Sequence, residues 1–367
     1  MIHKPPQHCY MFAYERRSLY LVSHSLKAKH TTIKLCPKGR TAMQNASNPA
    51  PNNSIIQPAG FYIVGLISMP YNNIYVMFLT VLYVITVICN VFLITIIFYD
   101  HRLHVPKFMA VGNLAFVDLV LSTSLVPGMI KTYLVLDNFV PFKLCLAQMY
   151  IYYGFLFLES FSICVLSYDR FIAICLPLRQ ESINTNTRMA YIIVAIWIFG
   201  LTTISYGTSS ILAVSFCGSL QHNSYFCDFT VLKLACSDTT HQWNFATALN
   251  ILFMFVPLTF IFFTYMGILI AVFRMKNNQS RYKALATCTE HLMLVAIFFI
   301  PIFIIFNLGF SGIIINPNVR MVCLSLSSLI TPCVNPIIYS LKTKEVRSRI
   351  YSLLTHRLSV HPLKNTQ

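Results

Sequence analysis

The chain has 367 residues, of which 56% are hydrophobic and only 10% charged, with a formal net charge of +16. Soluble domains carry about 25% charged residues, so this composition excludes an ordinary water-facing globule and points to lipid as the solvent. The positive charge does not mark a nucleic-acid binder, because among the connections between apolar runs and the tail it gathers on one side, in alternate connections.

In chain order, residues 1–42 are rich in Lys and Arg, carry Glu15 as their one acid and have no apolar core of a secretory signal. They read as a disordered extension or a gene-model artefact, with Met43 as an alternative start. The segment 43–74 opens with "MQNASNPAPNNSI", which is polar and uncharged and holds glycosylation acceptors at Asn45 and Asn52.

A helix needs about 20 apolar residues to cross the hydrocarbon. Seven runs qualify: Val76–Tyr99, Phe108–Ile130, Leu144–Tyr168, Met189–Phe216, Phe245–Phe273, His291–Val319 and Met321–Leu341. Asn316, Pro317, Asn318 and Arg320 mark the break between the last two. The fold class is therefore an all-α membrane protein, a seven-transmembrane helix bundle over residues 75–341 with a tail over 342–367.

Arg102 and Lys107, then Arg170, Arg179 and Arg188, then Arg274, Lys276, Arg281 and Lys283 fall in alternate connections. Lys342, Lys344, Arg347 and Arg349 follow in the tail. The positive-inside rule puts these in the cytoplasm with the C-terminus and leaves the N-terminus outside. In the tail, Val346, Ile350, Leu353, Leu354 and Leu358 recur at helical spacing among basic residues, the pattern of an amphipathic helix on the inner leaflet.

Of 12 cysteines, Cys89, Cys164, Cys175, Cys288, Cys323 and Cys333 sit singly in spans. Cys145, Cys217, Cys227 and Cys236 fall outside, in an oxidising compartment, where four cysteines allow three connectivities.

Asp118 and Glu159 are acids deep in apolar spans, a placement that is rare and usually functional. Asp169 and Arg170 close the third span. A partly buried ion pair contributes little net stability and is better suited to a switch. Pro301 and Pro336 remove helix hydrogen bonds in the last two spans and supply hinges.

Asn90, "LAFVD" with Asp118, "SYDRFIAICLPLR" after the third span, Trp197, Tyr265 and "NPIIY" follow one another in the order of the rhodopsin-like G-protein-coupled receptors. Glu159 in "FLES", the cysteine trio with "FCD" and "LKLACSD", and "KALATCTEHL" are sharper. On them the chain is identified as a member of the odorant receptors over about residues 60–350. "DRF" replaces the usual "DRY", and Pro257 and Pro301 are departures similar to fish-like receptors.

The resemblance implies a multi-pass plasma-membrane receptor whose partners are a small-molecule odorant, the lipid bilayer and a heterotrimeric stimulatory G protein that raises cyclic AMP. The alternative is a non-olfactory receptor of the same superfamily for another small ligand or a peptide. No internal repeat suggests a transporter, and no nucleophile–base constellation suggests an enzyme.

The resemblance also assigns residues. Asp169, Arg170, Tyr265 and Tyr339 form the G-protein switch, in which Arg170 rests against its neighbour Asp169. Asp118, Glu159 and Asn335, with Asn90 close by, would share a sodium ion, unless one acid keeps a proton. The outside cysteines would pair as Cys145–Cys227 and Cys217–Cys236. The ligand cavity would be lined by Tyr152, Tyr153, Leu156, Phe157, Phe229, Leu249, Asn250, Phe253, Phe299, Ile302, Phe303, Phe306, Ser325 and Ser328, with Phe299 at the aromatic toggle. That lining has no Lys, Arg, Asp or Glu, so the expected ligand is neutral or weakly polar.

Overall fold

The computed structural model describes residues 55–66, 69–310, 316–342 and 346–348, by backbone alone at 283, 287, 306–310, 317 and 340–342. Asn45, Asn52, residues 1–42 and most of the tail stripe lie outside the described residues. Val346, the first apolar residue of that stripe, is buried in a cluster with Leu93, Ile96 and Tyr339.

Among the described residues, seven helices are long and apolar enough to cross a membrane. They are α1 (Asn72–Tyr99), α2 (Pro106–Tyr133), α3 (Phe142–Cys175), α5 (Asn186–Ser210), α6 (Thr240–Arg274), α7 (Asn278–Phe310) and α8 (Pro317–Lys342), with a short α4 (Gln180–Ile183) between α3 and α5. α3 is the central pillar and packs on α2, α5, α6 and α7. α1, α5 and α6 turn large apolar side chains such as Ile74, Tyr191 and Phe263 outward, as helices solvated by lipid do.

Several boundaries differ from the hydropathy reading: α3 runs on to Cys175 past Tyr168, and α6 begins at Thr240 ahead of Phe245. α7 begins at Asn278, not His291. The added turns are built from Gln, Arg, Lys and Ala, good helix formers that are polar or small, and apolarity alone does not see them. α5 ends at Ser210 and tightens into a single turn over Ile211–Ala213, so Val214–Phe216 leaves the span.

Prolines within the helices leave carbonyls without their usual donor. Neighbouring helices supply it. Asn90 of α1 donates to the Pro332 carbonyl at 2.9 Å, the acceptor that Pro336 cannot reach. Ser160 of α3 donates to the Phe253 carbonyl at 3.2 Å, which Pro257 leaves open. The kinks thereby become points of attachment.

One end of the bundle is closed by a small sheet of order β2–β1–β3: β1 (Gly60–Ile63), β2 (Phe139–Pro141) and β3 (Gln221–His222). β1 runs antiparallel to β2, with Phe61 opposite Val140, and parallel to β3, with Tyr62 opposite Gln221. Phe61 is fully buried against Phe142 and edge-on to Phe216. Gly65 is required where the chain passes the loop after β3, because a Cβ there would run into the Ser224 carbonyl and Met321 Sδ. Cys145 of α3 is bonded to Cys227, with Cα atoms 5.2 Å apart, and Cys217 to Cys236, with Cα atoms 5.9 Å apart.

Candidate functional site

Below the sheet, α3 presents Tyr152 with Leu156 and Tyr153 with Phe157 one turn apart, so each pair shares a face. Tyr153, Leu156 and Phe157 meet Leu249, Asn250 and Phe253 of α6 around a cavity of about 20 Å³. Ile204 of α5 completes its wall, and nothing distinguishes Ile204 from other span residues in the sequence. Small-molecule pockets usually offer a few hundred cubic ångströms, whereas this one holds about one water. The cleft is therefore nearly closed. Gly200 keeps it tight, because a Cβ at that position would meet the Phe157 ring at 2.6 Å.

An aromatic path leads away from the cavity. Phe253 stands edge-on to Phe298 at 6.2 Å, and Phe298 to Phe299 at 4.8 Å. Phe299 and Ile302 are buried on α7, and Phe229 covers Tyr153 at 4.8 Å between rings. Phe303 does not join this lining. It is 39% exposed and packs on Phe255, itself turned outward, because its place on α7 carries it to the α6 seam facing lipid. The Phe306 side chain lies outside the described residues.

Ser325 and Ser328 of α8 take part in a separate, polar side of the site. Tyr152 and Ser328 hydroxyls are 3.0 Å apart, and those of Tyr75 and Ser325 are 2.6 Å apart. Above them the fully buried Asp228 accepts from Arg320 at 2.8 Å, from Ser224 at 2.9 Å, from the Thr230 amide at 2.8 Å and from the Thr230 hydroxyl. His222 lies 3.3 Å from its other oxygen. Burial alone would raise this carboxyl. Arg320 foremost, then His222 and Thr230, outweigh burial and hold it well below the usual carboxylate range. Arg320 reads in the sequence as part of a polar break. Its role as partner to an acid of the preceding loop was not visible there.

Deeper in the bundle, Asn335 donates to Asp118 Oδ2 at 2.9 Å. Asp118 Oδ1, both Glu159 oxygens, Asn335 Oδ1 and Asn90 Oδ1 are buried without a hydrogen-bond partner, and the two acids lie within each other's electrostatic reach. Hard oxygen donors without protons of their own are the chemistry a small cation takes, so the residues fit a sodium ion. Trp197 donates to Asn113 at 2.8 Å, and Asn113 to Ser162 at 2.8 Å, tying α5, α2 and α3 beside this centre.

At the opposite end from the sheet, Asp169 is buried and accepts from Asn184 at 2.8 Å. The expected Asp169–Arg170 ion pair is not formed, since no such pair occurs among the described residues. Successive helix residues point about 100° apart and do not face each other. The 3-10 turn at Pro177–Arg179 and α4 fold back to bring Asn184 to the acid. Arg170 lies within electrostatic range of Asp169 and also of Tyr265, His291 and Tyr339, on α6, α7 and α8.

His291 was not singled out in the sequence beyond its place in "KALATCTEHL". Its Nδ1 is 2.8 Å from the Tyr265 hydroxyl and its Nε2 is 3.2 Å from the Ile163 carbonyl. A carbonyl only accepts, so Nε2 carries the proton and Nδ1 accepts from Tyr265. One imidazole thus joins α7 to α3 and α6.

The family model described as olfactory receptor matches residues 79–357. Among curated proteins, olfactory receptor 10A5 of Homo sapiens is 32% identical over 294 residues, covering 79% of this chain and 92% of that protein. Olfactory receptor 51I1 of Homo sapiens is 32% identical over 302 residues, 82% of this chain and 96% of that protein. Olfactory receptor 10A2 of Homo sapiens is 31% identical over 289 residues, 78% of this chain and 94% of that protein.

Proposed function

Because this chain belongs to the olfactory receptor family, a family of G-protein-coupled receptors and not of enzymes, we propose that it binds a small, neutral or weakly polar odorant in the cleft between α3, α5 and α6 and activates a stimulatory G protein, raising cyclic AMP. The observation that carries this reading is the aromatic continuity from the cleft to the hinge region: Phe253, Phe298 and Phe299 touch in series, and Pro301 follows on α7. A ligand that opens a cleft of about 20 Å³ must displace these rings.

The end with the two disulfides and the N-terminus faces outward from the plasma membrane, and the end with Arg170 and the C-terminus faces the cytoplasm. The distribution of basic residues supports this orientation. Displacement of Phe299 bends α7 at Pro301 and draws His291 away from Ile163 and Tyr265. Tyr265 and Tyr339 are then free to turn toward Arg170, which meets the G protein. Asp118, Glu159 and Asn335 would hold a sodium ion, whose charge would offset theirs.

The test is cyclic AMP in cells carrying the full chain, with and without a stimulatory Gα subunit, against matched amines, acids, alcohols, ketones and esters. Activation by neutral compounds that depends on that subunit is expected. Potent activation by primary amines alone would show the pocket assignment to be wrong.

A further inference from the structure

The hydroxyls on the α8 side of the site have a donor surplus. Ser325 spends its proton on the Val322 carbonyl at 3.0 Å. Tyr75 must therefore donate to Ser325, and its proton is also spent. Tyr152 and Ser328 share one hydrogen bond, so one of their two protons is left without an acceptor in that pair. Tyr225, in the loop after β3, is 2% exposed and its hydroxyl is buried with no hydrogen-bond partner. Its electrostatic neighbours are Tyr152, Tyr75, Arg320 and Asp228, so it faces the same space. Phe226 bridges it to Tyr152, with ring centroids 4.7 Å from Tyr225 and 4.4 Å from Tyr152. A buried donor left unmatched is costly and calls for an explanation.

Two spare O–H donors complement one oxygen with two lone pairs and no proton. We propose that Tyr225, Tyr152 and Ser328 form the polar subsite of the odorant pocket and take the carbonyl oxygen of an aldehyde, ketone or ester, whose carbon chain runs toward Tyr153 and Phe157. The proposal rests on the odorant-receptor reading above. Charge excludes the other classes. The Arg320–Asp228 pair is already closed at 2.8 Å, so it offers neither an ammonium nor a carboxylate a free counter-charge. An alcohol supplies a proton where donors are already in excess, so it ranks below a carbonyl of equal length.

The test uses the full chain at matched surface level, with straight-chain aldehydes, ketones, alcohols, hydrocarbons, acids and amines of five to ten carbons. Tyr225→Phe removes only an unpartnered hydroxyl, so folding should be unaffected, and the melting temperature of the purified receptor checks this. Aldehyde and ketone potency should fall about fivefold relative to hydrocarbon of the same length, the effect of one net hydrogen bond. Tyr152→Phe should do the same. Equal losses for every compound, or no loss in either variant, overturn the subsite. If the unmodified receptor answers only to hydrocarbons, the subsite fails and the odorant reading stands; an answer only to amines or acids overturns the pocket assignment and the subsite with it. Silence to all classes overturns the odorant reading and the subsite with it.

Discussion

Tyr265 and His291 are joined by a 2.8 Å hydrogen bond, and the two rings lie nearly parallel, 14° apart, between α6 and α7. The bond, with the imidazole's second one to Ile163, holds α3, α6 and α7 in the arrangement seen here. His291→Phe keeps the ring and deletes both bonds. It should raise basal cyclic AMP severalfold at matched surface level, since each lost buried bond is worth about 1 kcal/mol net. Unchanged basal signal would mean the imidazole serves packing only.

Arg170→Ala should leave surface level intact and abolish agonist-driven cyclic AMP. Arg170 forms no ion pair with Asp169 in this arrangement, and Asp169 keeps its hydrogen bond from Asn184 at 2.8 Å when the guanidinium is removed. Loss of surface expression in place of loss of signalling would assign it a folding role.

Glu159→Gln removes one negative charge from a centre in which both of its oxygens lack partners. The dependence of ligand response on sodium concentration should weaken. An unchanged dependence would leave Glu159 as a polar contact between helices.

Arg320→Met strands Asp228, which is fully buried, and should cost about 3–5 kcal/mol, as breaking one side of a buried pair does. The pH dependence follows from the sign of the shift. In the unmodified protein the Asp228 carboxyl is held well below its ordinary value. Its contribution is therefore complete above the unfolded value of about 3.9 and is lost as pH falls through the folded value. The melting temperature should not respond to Asp228 between neutral pH and about pH 5. In Arg320→Met the carboxyl keeps its burial and loses its main partner, so acidification should raise the melting temperature. A parallel pH response in both proteins would refute the pairing.

The two disulfides should differ in weight. Cys145–Cys227 spans 82 residues and Cys217–Cys236 spans 19. Loop-closure entropy then favours the first, about 4.5 against about 3 kcal/mol. Replacing Cys145 and Cys227 together by Ser should lower surface expression more than replacing Cys217 and Cys236.

Hydropathy alone located all seven spans, because lipid demands apolar residues whatever the helix touches. It cut α7 short at His291, since the turns from Asn278 owe their helicity to propensity and not to apolarity. The pocket positions implied by family resemblance fell on the cleft where side chains face inward, as at Tyr153 and Phe253. They failed at Phe303, where a small difference in helix phase decides between pocket and lipid. Contacts between residues far apart in the chain left no local trace. Arg320 reaches Asp228 across 92 positions, and Asn184 reaches Asp169 only because the chain doubles back after Pro177.

The sheet has a consequence for how the molecule is made. Its middle strand, β1, is synthesised before any span, yet its neighbour β2 lies between α2 and α3, and β3 between α5 and α6. The Ile56 amide waits for Ser215, which emerges 159 residues later. β1 therefore cannot find both partners until the first four spans have been inserted, each in the correct direction. A span left out or reversed would deliver β2 or β3 to the wrong side of the bilayer and leave β1 with open edges. Closure of the sheet therefore reports on the first four spans, since α6, α7 and α8 follow β3 in the chain.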